Sequence, residues 1–416
     1  MVEALSPSLL LDDAAFRALV TDLLGSHRVI GPRQRDFSIV LDTIDDAHDL
    51  AAGVTLEQAP GSCRITPLAE GDDRRFAWAV GPDSARPLQQ PRERTLFTAR
   101  VDGSTVDPEP PTATTDGRPL AVVGLRPCDL AGVSVLHNVL GGWAGPDDPA
   151  GGESQRPFVV AVNCTDPAGT CFCASMGTGP ELAQEHSARA DIVMWERAAA
   201  PGTGAGPTYL VTHTSERGQA LLDAVATTRA ASADAEWVKQ ARAESIGRMG
   251  RRLNTQQLPE RLAQTLDSAR WDDVADRCLS CGNCTLVCPT CFCSSAHDSS
   301  SLDGSSVMRS ERWDTCFSLD HSHVHGGSVR SETRDRYRQW LTHKLSSWWG
   351  QFGESGCVGC GRCIAWCPVG IDIVEEANAL SVEAIEGGAA GTSANGESET
   401  IGATAVLVRM RKEHER

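Results

Sequence analysis

No stretch of this 416-residue chain approaches the roughly 18 uncharged apolar residues that a membrane-crossing helix needs. Its start, Met1 to Phe16, lacks the basic flank and small-residue cleavage site of a secretory signal; Glu3, Asp12 and Asp13 stand there instead. These two lacks predict a cytoplasmic protein without a membrane span. Positive charge is also scarce: 38 Lys and Arg face 55 Asp and Glu, for a net charge of −17. A nucleic-acid binder gathers Lys and Arg against phosphates, so that class is excluded. An acidic surface suits a soluble subunit and names no partner.

Catalytic and nucleotide motifs are missing as well. Gly202-Thr-Gly204-Ala-Gly206-Pro207 resembles a dinucleotide loop only in its glycines, because the proline blocks a helix start and no strand leads in. Gly177-Thr178-Gly179-Pro180 fails in the same way. Without a Walker loop, nucleophile elbow or zinc-protease motif, the chain has no catalytic centre of its own to point to.

What remains is a globular composition, 41% hydrophobic and 22% charged, long enough for two or three domains. Phe16, Leu19, Val20, Leu23 and Leu24 share the face of an amphipathic helix that ends near Gly25. Leu120 to Leu125 and Phe158 to Val162 read as buried strands, the first followed by a helix over Ala131 to Leu140. Tyr209 to Thr212 reads as another strand, before a helix opening at Ser215-Glu216. Residues 1–230 are therefore expected to form an α/β scaffold domain. A helical connector over 231–270, with a break before Pro259, is expected to lead to a cysteine-rich domain over 271–385, and 386–416 to form a flexible Gly-rich tail. Tyr337, Trp340, Leu341, Leu345, Trp348 and Trp349 recur at helical spacing and predict a core-facing helix over 333–352.

Sixteen cysteines in a chain read as cytosolic imply metal or cluster ligation, since thiols there stay reduced. Eleven of them fall between Cys278 and Cys367. The strongest signal is Cys278-Leu-Ser-Cys281-Gly-Asn-Cys284-Thr-Leu-Val-Cys288-Pro289, matched by Cys357-Val-Gly-Cys360-Gly-Arg-Cys363-Ile-Ala-Trp-Cys367-Pro368. Both runs are C-x2-C-x2-C-x3-C-P, the spacing by which bacterial-type ferredoxins hold paired 4Fe-4S clusters. Three thiolates spaced by two residues can wrap one cubane, and Gly282, Gly359 and Gly361 let backbone approach it. The fourth cysteine of each run serves the other cluster. The expected ligand sets are thus Cys278, Cys281, Cys284 and Cys367 for one cluster, and Cys357, Cys360, Cys363 and Cys288 for the other. Zinc would leave the third cysteine, the C-P ending and the duplication unexplained. With every iron corner taken by a thiolate, such clusters pass single electrons and bind no substrate. The insert of about seventy residues between the runs reads as largely helical, so a mainly helical dicluster domain is expected.

Thr-Cys-Phe-Cys occurs twice, at 170 and at 290. For the first copy two readings stand: Cys128, Cys164, Cys171 and Cys173 hold a third cluster in the α/β domain, or they are buried structural thiols. Cys291, Cys293 and Cys316 carry no assignment, and Cys63 reads as a core residue. His321, His323 and His325 alternate like a strand and could face one metal, with a packed loop as the alternative.

Gly-Leu-Arg-Pro-Cys-Asp-Leu (124–130), Asn-Cys-Thr-Asp-Pro-Ala-Gly-Thr-Cys-Phe-Cys (163–173), the two cluster runs and Arg-Gln-Trp-Leu-Thr-His-Lys (338–344) together resemble a family of 4Fe-4S dicluster subunits. That family includes the beta subunits of NiFe sulfhydrogenase-type hydrogenases and the A subunits of anaerobic sulfite reductases. The resemblance spans about 120–375 and implies a non-catalytic electron-transfer subunit. In such a role it would relay electrons between a flavoprotein subunit that handles NAD(P)H and a NiFe hydrogenase catalytic subunit, or equally a sulfite or other reductase. A redox sensor is a third reading, less suited to complete ligand sets.

Overall fold

Asp12 accepts a hydrogen bond from the Ala15 N–H at 2.8 Å and so opens the first helix, Asp13–Ser26, by satisfying one of its unpaired amides. The helix buries Phe16, Leu19, Val20 and Leu23, the stripe its spacing predicts. The structure, a computed structural model, describes residues 7–103, 105–109, 117–141, 156–200 and 202–391.

The first helix lies on an eight-stranded sheet. Its strands run in the spatial order Thr228–Arg229, Leu9–Leu11, Thr208–His213, Ile192–Arg197, Phe158–Val162, Leu120–Leu125, Arg28–Arg35 and Ser38–Ile44. The four from Ile192–Arg197 to Arg28–Arg35 are mutually parallel, and the outer pairings are antiparallel. Leu120–Leu125 and Phe158–Val162 occupy the residues expected of them, and their near-continuous apolar runs are explained by burial on both faces. One face packs on the first helix, and the other on Leu130 and Val133 of the helix Pro127–Leu140. That helix starts four residues earlier than expected, with Pro127 in its first turn, where a missing N–H costs nothing. Tyr209 stacks on Phe16, ring centroids 4.2 Å apart. The strands Arg28–Arg35 and Ser38–Ile44 and the hairpin Val54–Ala59/Ser62–Pro67 are not among the strands expected from the apolar runs.

The connector forms as helices Ser232–Arg248 and Leu258–Ala263, with Pro259 in the first turn of the second. A third helix, Arg270–Arg277, delivers the chain to Cys278.

The insert departs from the largely helical expectation. Its first half is a β-hairpin, Ser294–Ser300 paired with Ser306–Trp313, which adds to Glu93–Asp102 and Thr105–Glu109 in a four-stranded sheet. Ser-Ser-Ala-His-Asp-Ser-Ser shows no apolar period, so its conformation is set by the neighbouring strand. Ion pairs across the strands hold it there: Arg309–Asp298 at 2.6 Å, Arg94–Glu311 at 2.7 Å and Arg312–Glu93 at 2.9 Å. The second half is helical, as Thr333–Thr342, a π turn over His343–Ser347, and Trp348–Phe352. Tyr337, Trp340, Leu341, Leu345 and Trp348 are buried there, in the core-facing arrangement their spacing predicts, but Trp349, expected on the same stripe, is exposed because it follows Trp348 directly and so faces away. Tyr337, Trp340, Leu341 and Leu345 join Trp271, Phe317 and Ile364 in a second core, against which cysteines of both runs pack, while Trp348 packs in a third with Val358 and Cys360.

His321 sits in a single 3-10 turn and His323 in a two-residue strand, followed by the turn at Gly326 and Gly327, so the histidines lie in the packed loop rather than along one strand. The last helix, Ile373–Gly391, continues through Gly387 and Gly388 into the segment expected to be a flexible tail; 392–416 lie outside the described residues. Among the described residues no helix is long and apolar enough to cross a membrane.

Candidate iron–sulfur site

The two cysteine runs fold alike. In each, the second residue after the first cysteine takes a left-handed backbone, Ser280 at φ 50° and Gly359 at φ 66°, and its N–H donates to that cysteine's Sγ at 3.4 Å. In each, a glycine in the left-handed region, Gly282 or Gly361, starts a short helix, Asn283–Leu286 or Arg362–Ala365, which carries the third cysteine. The closing cysteines also accept backbone amides, Cys288 from Thr290 at 3.5 Å and Cys367 from Ile371 at 3.3 Å. N–H groups aimed at sulfur stabilise a thiolate and tune any cluster bound to it.

Cys278, Cys281 and Cys284 line one cavity together with Cys363 and Cys367 of the other run, beside Phe317, Tyr337 and Trp340. Reciprocally, the Cys288 thiol is within electrostatic reach of Cys357, Cys360 and Cys363. The thiols of the two runs therefore lie together, with Cys367 beside the first run and Cys288 beside the second.

Most of these thiols titrate high. Burial pushes Cys357 up to about 12, and holds Cys284 and Cys363 well above the usual thiol range. Cys288 is pulled the other way, well below that range, because the Cys291 thiol donates to it and the Lys344 ammonium stands beside it. Lys344 is buried, and its Nζ donates to Cys288 Sγ at 3.2 Å and to Thr290 Oγ1 at 3.0 Å. Apart from Cys288, the thiols raised by burial are uncharged, and bound iron would deprotonate them. Among the described residues no group of three or more His, Cys, Asp or Glu gathers tightly enough for a single metal ion. A cubane takes one thiolate at each of four corners, so its ligands stand farther apart than those of one ion. The donor chemistry fits 4Fe-4S clusters.

Cys128, Cys164, Cys171 and Cys173 line a further cavity, with Cys360 of the second run on its wall. Cys128 comes from the first turn of Pro127–Leu140, Cys164 from just beyond Phe158–Val162, and the other two from the first Thr-Cys-Phe-Cys loop. Burial pushes Cys171 up to about 12. The loop docks directly on the second run: Phe172 N–H donates to Gly359 O at 2.9 Å and Thr178 Oγ1 to Val358 O at 2.6 Å. A Cβ on Gly361 would stand 2.4 Å from Thr170 O, so only glycine lets the two backbones meet.

Two anchoring residues escaped the sequence reading. Arg126 is buried against the Trp78 ring and its Nη2 donates to Phe76 O and Trp78 O at 2.6 Å, fixing the segment before Cys128. Lys344 lies four residues from both Trp340 and Trp348, on the buried stripe itself, and a cation at that position is the signal that marks it out. Cys63, by contrast, packs at the edge of the scaffold core as expected.

A model of the 4Fe-4S dicluster domain matches residues 277–371. The chain is 30% identical over 269 residues to sulfhydrogenase 2 subunit beta of Pyrococcus furiosus, an alignment covering 62% of this chain and 73% of that protein. No solved structure matches it. The chain belongs to the 4Fe-4S dicluster family of hydrogenase beta-subunit-like proteins and is an iron–sulfur electron-transfer subunit.

Proposed function

We propose that this chain relays single electrons between an NAD(P)H-handling flavoprotein subunit and a NiFe hydrogenase catalytic subunit, in the cytoplasm. One observation supports the reading: Cys367 lines a cavity with Cys278, Cys281 and Cys284, and the Cys288 thiol lies within electrostatic reach of Cys357 and Cys360, so the two runs pack as one unit. In this reading Cys278, Cys281, Cys284 and Cys367 hold one 4Fe-4S cluster, and Cys357, Cys360, Cys363 and Cys288 the other. Clusters of this type exchange one electron at a time. The chain's own residues bind them through eight thiols, lend backbone N–H groups to the sulfurs and exclude substrate by leaving no coordination position open.

Cys128, Cys164, Cys171 and Cys173 are proposed to hold a third cluster, a step from the second through the shared wall at Cys360. The division of labour follows: a scaffold over 1–230 presenting the upstream thiols, a connector over 231–270, and a dicluster domain over 271–385. The hydrogenase partner is favoured by the relative, which is a sulfhydrogenase subunit.

The test is anaerobic purification of the full chain with its companions, followed by iron and sulfide analysis. About twelve irons per chain, with hydrogenase and flavoprotein subunits co-eluting, is the expected result. About eight irons would remove the upstream cluster, and stoichiometric zinc with no companion would overturn the relay.

A further inference from the structure

The amide hydrogen bonds to sulfur are matched between the two runs. Ser280 and Gly359 each donate to the first cysteine of their run at 3.4 Å, and Thr290 and Ile371 each donate to a closing cysteine, at 3.5 and 3.3 Å. Lys344 breaks that symmetry. Its Nζ donates to Cys288 Sγ at 3.2 Å and to Thr290 Oγ1 at 3.0 Å, from a residue only 4% exposed in the π turn His343–Ser347. The partners of this buried cation are a sulfur and a hydroxyl, with no carboxylate among them.

The same residue is tied to the start of the second run. Thr290 Oγ1 donates onward to Gly356 O at 2.7 Å, and Lys344 O accepts from the Gly356 N–H at 2.9 Å and from Ser355 Oγ at 3.3 Å. Ser355 Oγ in turn accepts from the Cys357 N–H at 3.1 Å. Lys344 therefore clasps Cys288, which closes the first run, to the segment that delivers Cys357. The cavity lined by Cys278, Cys281, Cys284 and Cys367 has no charged side chain on its wall. Arg362, inside the second run, is paired with Asp129 at 2.9 Å and adds no net charge there. Burying an uncompensated cation is costly, so Lys344 requires negative charge on the sulfur it touches.

We propose that Lys344 makes the centre of Cys357, Cys360, Cys363 and Cys288 the first to be reduced, so that an electron on this chain rests there in preference to the centre of Cys278, Cys281, Cys284 and Cys367. The inference rests on the ligand sets proposed above. Reduction adds one negative charge to a cluster, and hydrogen bonds to its sulfurs and the net charge beside it set how readily that charge is accepted. A fixed ammonium on Cys288 favours the reduced form. Water near the exposed Cys281 favours the first centre in the same sense. Water only screens, however, whereas Lys344 supplies a full charge where screening is about fourfold weaker than in bulk water. The transfer balances as one electron: the first centre is oxidised by one, the second is reduced by one, and Lys344 keeps its proton. Lys344 is thus a positioning residue that acts on the electron through Cys288.

The test uses the full chain, loaded anaerobically with iron and sulfide and titrated stepwise with dithionite while EPR follows each component. The component that Cys357→Ser removes identifies the second centre, and in wild type it should be reduced before the component that Cys278→Ser removes. In Lys344→Met its midpoint should fall, with the electron's preference for it dropping about tenfold or more, about 59 mV for a one-electron couple. The first component should stay in place, and Lys344→Arg, which keeps a cation at the site, should shift the second much less. An unmoved midpoint in Lys344→Met, or an equal shift of both components, overturns the proposal. Should Lys344→Met fail to hold the second centre, the wild-type order decides: reduction of the first centre before the second overturns it. The readings beneath it fail separately, the ligand sets if Cys288→Ser disturbs the component that Cys278→Ser removes, and the relay if iron-loaded wild type shows no one-electron component.

Discussion

The guanidinium of Arg362 lies 2.9 Å from the carboxylate of Asp129, and both side chains are buried. Arg362 belongs to the second cysteine run and Asp129 follows Cys128, so one ion pair fastens the upstream thiol group to the dicluster unit. Arg362 also donates to Gly81 O at 2.9 Å and Asp83 O at 2.8 Å, tying three segments distant in sequence to one charge. Asp129→Ala leaves that cation buried and unpaired, which costs about 3–5 kcal/mol. A fall of that size in the urea-unfolding free energy of the anaerobic protein is expected, whereas Asp83→Ala, which removes a side chain and leaves its carbonyl, should cost far less.

If the closing cysteines are exchanged as proposed, their mutants should pair with the other run. Cys367→Ser should disturb the same EPR component as Cys278→Ser, and Cys288→Ser the same one as Cys357→Ser. Pairing of each closing cysteine with its own run instead would refute the exchanged ligand sets.

Gly361 combines φ 78° with the 2.4 Å approach of Thr170 O that a Cβ would make. Gly361→Ala should destabilise by on the order of 2 kcal/mol or more and release the first Thr-Cys-Phe-Cys loop from the second run. Faster amide exchange at Phe172, whose N–H donates to Gly359 O, is the readout.

Glu196 gives a pH signature remote from the thiols. Burial raises its carboxyl to about 7, against the backbone N–H groups of Arg75 and Phe76 that donate to it at 2.7 Å. The ordinary value is 4.5, so between about 4.5 and 7 the folded state holds a proton that the unfolded state has released. Stability from this group is therefore fully present below that window and is lost as pH rises through it, by on the order of 3 kcal/mol. Chemical denaturation from pH 5.5 to 8 should show wild type losing stability relative to Glu196→Gln; parallel profiles would count against it.

Much of the molecule was legible in the residue order. Spacing alone gave the two cysteine runs, because a cubane demands thiols at fixed intervals along the chain. The same holds for the helix over Asp13–Ser26, the strands Leu120–Leu125 and Phe158–Val162 and the aromatic helix after Thr333, each of which shows its own apolar period. Tertiary structure decided the rest. Ser294–Ser300 has no period and is a strand because Ser306–Trp313, itself paired with Glu93–Asp102, offers it hydrogen bonds. The pairing of Asp129 with Arg362 and the placing of Lys344 against Cys288 depend on contacts between segments far apart in the chain. Burial turns those contacts into constraints, since a charge out of water must find its counter-charge wherever the fold puts it, and no local pattern records where that is.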